Sequence, residues 1–181
     1  MMIMTSSFDR PYFKDFVFPA GDLREFRSGV SRADVLLVTR TPEDLSLRQK
    51  ETFLKNIKIN VPVFFTKIRY SEVIMRSDKS LDSSVLMDED FLLVTGIADT
   101  HHLITHLKKK YKAFDHLKFK DHHRYSAADA KMINDRAEKK LILTTEKDFV
   151  KLEKALNNPK LCCLRIELDF VFEEEQHLFE K

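Results

Sequence analysis

Short apolar runs that alternate with segments of helical spacing are the feature of this chain that most constrains its fold. Each run is continuous and bounded by polar residues, which is typical of a strand buried on both faces. Strands joined by crossover helices form a mostly parallel sheet with helices on both faces. The sequence therefore predicts an α/β fold in three layers. The five runs are residues 34–39, 61–66, 91–95, 141–145 and 161–166.

Helices are predicted where apolar residues recur at helical spacing or where a cap begins the segment. Asp22 and Glu25 have the spacing of a capping box, which predicts a short helix that ends near Ala33. Residues 67–88 have no regular pattern and are predicted to form a loop or an edge-strand excursion. Further helices are predicted over 46–58, 100–110, 127–139 and 149–156, and further strands over 2–5 and 113–119.

Length and composition predict one domain with a short leading segment. The chain has 181 residues and 43% hydrophobic content, which is enough for one core. We expect residues 1–33 to form the first strand, a Pro-Ala-Gly turn and the short helix. Residues 34–181 are then the α/β domain.

Charge and cysteine usage exclude several classes of protein. The formal net charge is 31 − 29 = +2, so no overall field favours nucleic acid as a partner. Cys162 and Cys163 are adjacent in an apolar run, which favours strand packing in a reducing compartment over a disulfide framework. No apolar run approaches the roughly 20 residues that cross a bilayer. We also find no export signal, and therefore expect a soluble, cytoplasmic chain.

Asp121, His122 and His123 form one of two polar clusters that lie at predicted strand ends. The segment around them is predicted to open the next helix, with Ser126 and Asp129 as a capping box. Ligands gather at the carboxyl ends of strands in open α/β sheets. An imidazole there could serve as a general base, a donor or a metal ligand. The alternative is a polar loop in which Asp121 caps backbone donors.

The second cluster, residues 144–148, places Thr144 and Thr145 at the end of a strand and Lys147 in the first turn of a helix. A cation at that position opposes the helix dipole, and a bound phosphate would explain it. The alternative is a solvated first turn held by Glu146 and Asp148.

Histidines elsewhere and the Asp-His-His sequence leave two further alternatives open. His101, His102 and His106 include a spacing that suits a divalent metal, but no third ligand is evident and a surface helix explains them equally. Asp-His-His also occurs in metal-dependent phosphoesterases, which need several separated ligands around two metals. A third class is a binding module without enzymatic activity. We assign no metal ligand.

The glycine content excludes the common nucleotide loops. Only Gly21, Gly29 and Gly96 are present, so neither G-x-x-x-x-G-K-[ST] nor G-x-G-x-x-G can occur. If the fold acts on a nucleotide, another polypeptide segment must supply the phosphate loop.

Five blocks of the sequence, taken in order, carry a resemblance to a known family: residues 18–25, 32–39, 94–98, 119–123 and 143–148. Together they resemble the tetraacyldisaccharide 4′-kinase family, whose members are P-loop-type kinases. The resemblance implies transfer of the ATP γ-phosphate to the 4′-hydroxyl of a tetraacyldisaccharide 1-phosphate, an acylated diglucosamine, in lipid A biosynthesis. It covers the carboxyl-terminal part of the family, without its P-loop and its membrane-associating helix.

The resemblance also implies roles for individual residues. His122, with Asp121, matches the histidine that pairs with an acidic general base on the other half of the family. Arg24 matches a position that contacts the substrate phosphate or glucosamine, since a guanidinium suits phosphate oxygens. His123 and Arg124 are expected to bind substrate as well. Weaker expectations place Thr145 and Lys147 at the nucleotide or the cleft.

Partners and cofactors follow from the same resemblance. The complete enzyme is expected to use ATP and Mg²⁺ at the cytoplasmic face of the inner membrane. We expect this chain, lacking the P-loop half, to bind neither tightly and to be inactive alone, as a truncated polypeptide or a split reading frame. Its uncovered cleft is expected to favour self-association.

Overall fold

A computed structural model describes residues 1–58, 60–76, 80–87 and 90–179. The chain divides into two compact units: Met1–Arg69 with Glu167–Lys181 form the first, and Tyr70–Ile166 form the second. The boundary predicted between residues 33 and 34 falls inside the first unit and stays a prediction.

Eight strands and five α-helices make up the described fold, with two short 3-10 helices at Arg27–Arg32 and Ser83–Leu86. The strands are β1 (Ile3–Ser7), β2 (Val35–Thr39), β3 (Val63–Met75), β4 (Ser80–Asp82), β5 (Phe91–Thr95), β6 (Phe114–Lys118), β7 (Leu141–Thr145) and β8 (Leu161–Phe170). The helices are α1 (Leu47–Leu54), α2 (His101–Lys110), α3 (Ala127–Ala137), α4 (Glu146–Leu156) and α5 (Glu173–Phe179).

The second unit contains parallel strands in the order β8-β7-β5-β6, with β8 included as far as Ile166. Successive residues of a strand point to opposite faces, and both faces are covered by helices. On one face Leu93 of β5 packs with Leu103 and Leu107 of α2. On the other, Val94 packs with Ile133 of α3 and with Leu152 of α4. The predicted three-layer α/β arrangement is confirmed here.

The first unit contains β1, β2 and the part of β3 up to Arg69, which pair in parallel in that order. Helix α1 begins at a capping box formed by Ser46 and Gln49 and buries Phe53 against the sheet. Phe53 stacks on Phe8 at 5.0 Å between ring centroids and meets Phe65 edge-on at 5.5 Å. Aromatic side chains therefore supply much of this core.

The predicted strands at 34–39, 91–95, 113–119 and 141–145 are confirmed, and so are the helices at 100–110 and 127–139. Cys162 and Cys163 lie buried in β8, as predicted, and burial raises the pKa of Cys162 to about 11. Both thiols are free.

The predicted helix from Asp22 to Ala33 is wrong, since only a 3-10 helix at Arg27–Arg32 forms there. The backbone of Leu23 pairs with Phe16 and Phe18 instead of turning into a helix. The side chains expected to cap are also engaged elsewhere, because Asp22 pairs with Arg10 and Glu25 pairs with Arg32.

Other differences lie at the ends of elements. Residues 67–75 continue β3, and residues 80–86 form β4 and a 3-10 helix, whereas 77–79 and 88 of the predicted excursion lie outside the described residues. Helix α4 begins at Glu146 rather than near Phe149, because Thr145 caps it. The segment from Phe119 to Tyr125 is a loop, and α3 begins after its cap at Ser126. Helix α5 was not predicted.

Replacing Phe91 by alanine tests the core of the second unit. Phe91 is fully buried, stacks on Phe114 at 5.1 Å and meets Tyr111 edge-on at 5.6 Å. We expect Phe91→Ala to lower the free energy of unfolding by about 3–5 kcal/mol in chemical denaturation. Val150→Ala, at a side chain that is 60% exposed, is the control and should change it by less than about 0.5 kcal/mol. Equal effects of the two substitutions would contradict this core.

Candidate functional site

Two backbone hydrogen bonds hold the loop after β6 against the end of β5. The Phe119 N–H donates to the Thr95 carbonyl at 2.7 Å, and the His122 N–H donates to the Gly96 carbonyl at 3.2 Å. Both strands are parallel and adjacent, so their carboxyl ends lie at one edge of the sheet. The first predicted polar cluster therefore lies at a strand-end edge, where ligands bind in α/β sheets.

His122 projects from this loop towards solvent. Its side chain is 75% exposed. Its backbone has φ 57°, a left-handed conformation that non-glycine residues rarely adopt. The His122 N–H lies 3.0 Å from Asp121 Oδ1, and its Nε2 lies 3.6 Å from Asp121 Oδ2. The imidazole is thus accessible to a ligand and has a carboxylate beside it.

Asp121 also joins the two predicted clusters. Lys147 Nζ lies 3.1 Å from Asp121 Oδ1. This hydrogen bond is the main cause that lowers the pKa of Asp121, with the nearby His122 and Lys147 charges adding to it. Asp121 is therefore ionised at neutral pH. The pairing gives the lysine in the first turn of α4 a carboxylate partner without any phosphate.

His123 is less accessible than His122 and is held by its neighbours. Its Nε2 lies 3.1 Å from Asp129 Oδ2, and its ring packs against Phe119 and Tyr125 at 4.7 and 5.1 Å between centroids. Hydrogen bonds from the Ser126 backbone and hydroxyl, and then from His123, lower the pKa of Asp129 to about 2. The predicted capping box of Ser126 and Asp129 is confirmed.

Asp148 is a fully buried carboxylate at the same edge. Its Oδ2 accepts from the Gly96 N–H at 2.7 Å and from the Thr145 hydroxyl at 3.0 Å. Its Oδ1 and the Tyr125 hydroxyl are both buried, and neither meets hydrogen-bond geometry with a described residue. Burial, and next the Asp148 charge, raise the pKa of the Tyr125 hydroxyl.

The structure brings some predicted site residues together and leaves others apart. Asp121 contacts both His122 and Lys147, and Thr145 is buried with its hydroxyl bonded to Asp148. Arg124 is exposed in the same loop. Arg24 is exposed in the first unit, after the bridge between Val17 and Leu23.

Within the described ranges, no group of three or more His, Cys, Asp or Glu side chains could hold a metal ion. His106 of α2 instead stacks on Tyr70, with 4.2 Å between ring centroids. The described helices also include none that combines the length and the apolar character needed to cross a membrane.

The sequence pattern does not reveal the buried residues that support the loop. It predicts Asp148 as part of a solvated first turn and indicates no role for Tyr125, whereas the structure buries both side-chain oxygens of this pair beside Gly96. The signal available was Thr145 followed three residues later by Asp148, which is the spacing of a helix cap. That spacing predicts the cap but not the contact with Gly96, which is distant in the sequence.

Comparison with known proteins gives consistent matches. The sequence model of the LpxK family, Tetraacyldisaccharide-1-P 4′-kinase, matches residues 2–181. The chain is 35% identical over 178 residues to a tetraacyldisaccharide 4′-kinase of Flavobacterium psychrophilum, covering 96% of this chain and 51% of the relative. It is 34% identical over 171 residues to that of Flavobacterium johnsoniae, covering 93% and 50%. The chain thus spans about half the length of these relatives.

A solved structure shares the fold. The crystal structure of LpxK from Aquifex aeolicus, described as an "apo" form in complex with ATP, matches with a TM-score of 0.61 and 24% sequence identity. The match covers 96% of this chain and 49% of that one.

Substituting Gly96 tests the close packing at this edge. A Cβ at residue 96 would lie 2.8 Å from the Tyr125 hydroxyl oxygen and 3.0 Å from Asp148 Oδ1. We expect Gly96→Ala to lower the free energy of unfolding by about 1–3 kcal/mol, because both neighbours are buried. Thermal or chemical denaturation measures it.

Two further variants make this test specific. Tyr125→Phe removes the closer oxygen, so the double variant should lose less stability than the sum of the single variants. At Gly29 a Cβ would meet mainly the carboxylate of Glu25, an exposed side chain that can move aside, so Gly29→Ala should be milder. A harmless Gly96→Ala substitution would contradict the described packing.

Proposed function

Because the chain belongs to the tetraacyldisaccharide-1-P 4′-kinase family, we propose that it supplies the acceptor side of a kinase that phosphorylates the 4′-hydroxyl of a tetraacyldisaccharide 1-phosphate. The observation that carries this proposal is the family match over residues 2–181, which includes the exposed His122 at the strand-end edge. The two Flavobacterium relatives, which the chain matches along about half of their length, bear the name of this activity.

His122 is the proposed catalytic residue. A sugar hydroxyl must lose its proton when it attacks a phosphoryl group, and an imidazole titrates near neutral pH. Asp121 lies beside the imidazole and is held ionised by Lys147. It would orient the ring and stabilise its protonated form.

Substrate recognition is proposed for three further side chains. Arg124 is exposed in the loop that carries His122, and His123 lies next to it in the sequence with its ring partly accessible. Arg24 is exposed in the first unit. A phosphorylated diglucosamine offers phosphate oxygens to guanidinium groups and hydroxyls to imidazole.

The nucleotide needs groups that the described residues do not offer. The sequence has three glycines and no phosphate-binding loop, and the described residues include no acidic cluster for Mg²⁺. Thr145 has its hydroxyl occupied by Asp148, and Lys147 is paired with Asp121. We therefore propose that a second polypeptide segment with a P-loop is the partner that holds ATP and Mg²⁺, and that this chain alone binds neither tightly.

Location and self-association belong to the same proposal. An acylated disaccharide resides in a membrane, which supports action at a membrane surface. The family resemblance implies the cytoplasmic face of the inner membrane for the complete enzyme. Phe16, Phe18 and Phe26 of the first unit are 61–77% exposed, and such apolar surface favours association with another chain.

The alternatives considered from the sequence are less well supported. A two-metal phosphoesterase needs several ligands around its metals, and the described residues contain no such group. A binding module without activity would leave the family match over residues 2–181 without a functional explanation.

Reconstitution with a P-loop segment tests the proposal. The chain is assayed for ATP-dependent phosphorylation of tetraacyldisaccharide 1-phosphate, alone and with the half of the Flavobacterium psychrophilum relative that it does not match. We expect product only from the mixture, and about 100-fold less product with His122→Ala, because a general base or its partner is lost. Transfer of labelled γ-phosphate measures the rate.

His101→Ala is the matched control, since His101 is an exposed histidine of α2. It should leave the rate of the mixture unchanged. Activity of the chain alone, or a mixture that tolerates His122→Ala, would contradict the proposal.

A further inference from the structure

Asp148 is the buried ionisable group that the proposed chemistry does not use. Its side chain is fully inaccessible, and burying a carboxylate is unfavourable unless hydrogen bonds compensate for the lost water. Such a group has either a structural or a functional explanation. Its contacts distinguish the two.

The carboxylate connects two strand ends and a helix. Asp148 Oδ2 accepts from the Gly96 N–H, directly after β5, and from the hydroxyl of Thr145, the last residue of β7. The Asp148 N–H in turn donates to the Thr145 hydroxyl oxygen at 3.3 Å, which caps α4. For α4 alone, the Thr145 cap would be sufficient, so the bond to Gly96 needs a further explanation.

Gly96 connects Asp148 to His122 through its two backbone hydrogen bonds. Its N–H is held by Asp148, and its carbonyl accepts the His122 N–H at 3.2 Å. His122 has the left-handed backbone conformation that needs such support. One carboxylate thus lies two hydrogen bonds away from the residue whose imidazole faces solvent.

The Tyr125 side chain also lies beside Gly96 and Asp148. Its hydroxyl and Asp148 Oδ1 lie within 2.8 and 3.0 Å of the point where a Gly96 Cβ would be. Its ring packs against Phe119 and His123, at 5.1 Å between centroids in both cases. The loop therefore meets Gly96 both through the His122 N–H and through the Tyr125 side chain, and Gly96 is in turn bonded to Asp148.

We propose that Asp148 is a positioning residue for His122, acting through Gly96. The Tyr125 hydroxyl, which lies near Gly96 as does Asp148 Oδ1, supports the same position of the loop. The consequence for phosphoryl transfer rests on the proposed function. The positioning itself does not, because it can be measured in this chain without substrate.

Amide hydrogen exchange followed by NMR measures the positioning directly. In Asp148→Ala, we expect the Gly96 and His122 amides to exchange about tenfold faster. In the wild type, local opening of this segment requires breaking the hydrogen bond to the Asp148 carboxylate, and in the variant that bond is absent. The Leu93 amide, inside β5, should exchange at the wild-type rate. Asp148→Asn keeps one oxygen that can accept from Gly96, so it should restore most of the protection.

Control variants separate positioning from general destabilisation. Asp135→Asn, at an exposed carboxylate of α3, should change none of these rates. Tyr125→Phe should accelerate exchange at His122 without affecting Leu93, which keeps the proposal testable if Asp148→Ala does not fold. An unchanged His122 rate in both Asp148→Ala and Tyr125→Phe, or a uniform rise that includes Leu93, would overturn it. A chain without kinase activity leaves this result intact, so the two proposals can fail independently.

Discussion

The hydrogen bond between the buried Asp148 carboxylate and the Gly96 N–H is the interaction on which the candidate site depends. It joins the end of β5 to the first turn of α4, with 2.7 Å between the Gly96 nitrogen and Asp148 Oδ2. The carboxylate is fully buried and therefore excluded from water. A buried charged hydrogen bond is stronger than a neutral one and is costly to break. Its geometry therefore fixes where the His122 loop attaches.

The parallel sheet explains why residues far apart in the sequence meet there. Strands β5, β6 and β7 run in the same direction, so the segments after Thr95, Lys118 and Thr145 emerge at a common edge. Each segment then contributes one kind of group: a backbone turn at Gly96, the acid and imidazoles of 121–123, and the lysine of α4. The Asp121–Lys147 pair is a product of this convergence.

The sequence was sufficient for features that depend on local pattern. Continuous apolar runs predicted β5, β7 and β8, and the spacing of Ser126 and Asp129 predicted the start of α3. It was insufficient where a residue's conformation depends on contacts with residues far away in the sequence. Asp22 pairs with Arg10 rather than capping a helix. Strand β3 extends through polar residues to Met75, where it pairs with β4. The burial of Asp148 depends on Gly96, 52 positions away, and no local pattern contains that contact.

On the proposed function, the strand-end edge around His122 receives a phosphorylated sugar. Titrating the chain with an acyl-free diglucosamine 1-phosphate, while following the histidine side chains by NMR, tests this binding. We expect saturable changes at His122 and His123 and none at His101 and His102 of α2. Changes confined to the α2 histidines, or no change at His122 at saturating sugar phosphate, would contradict it.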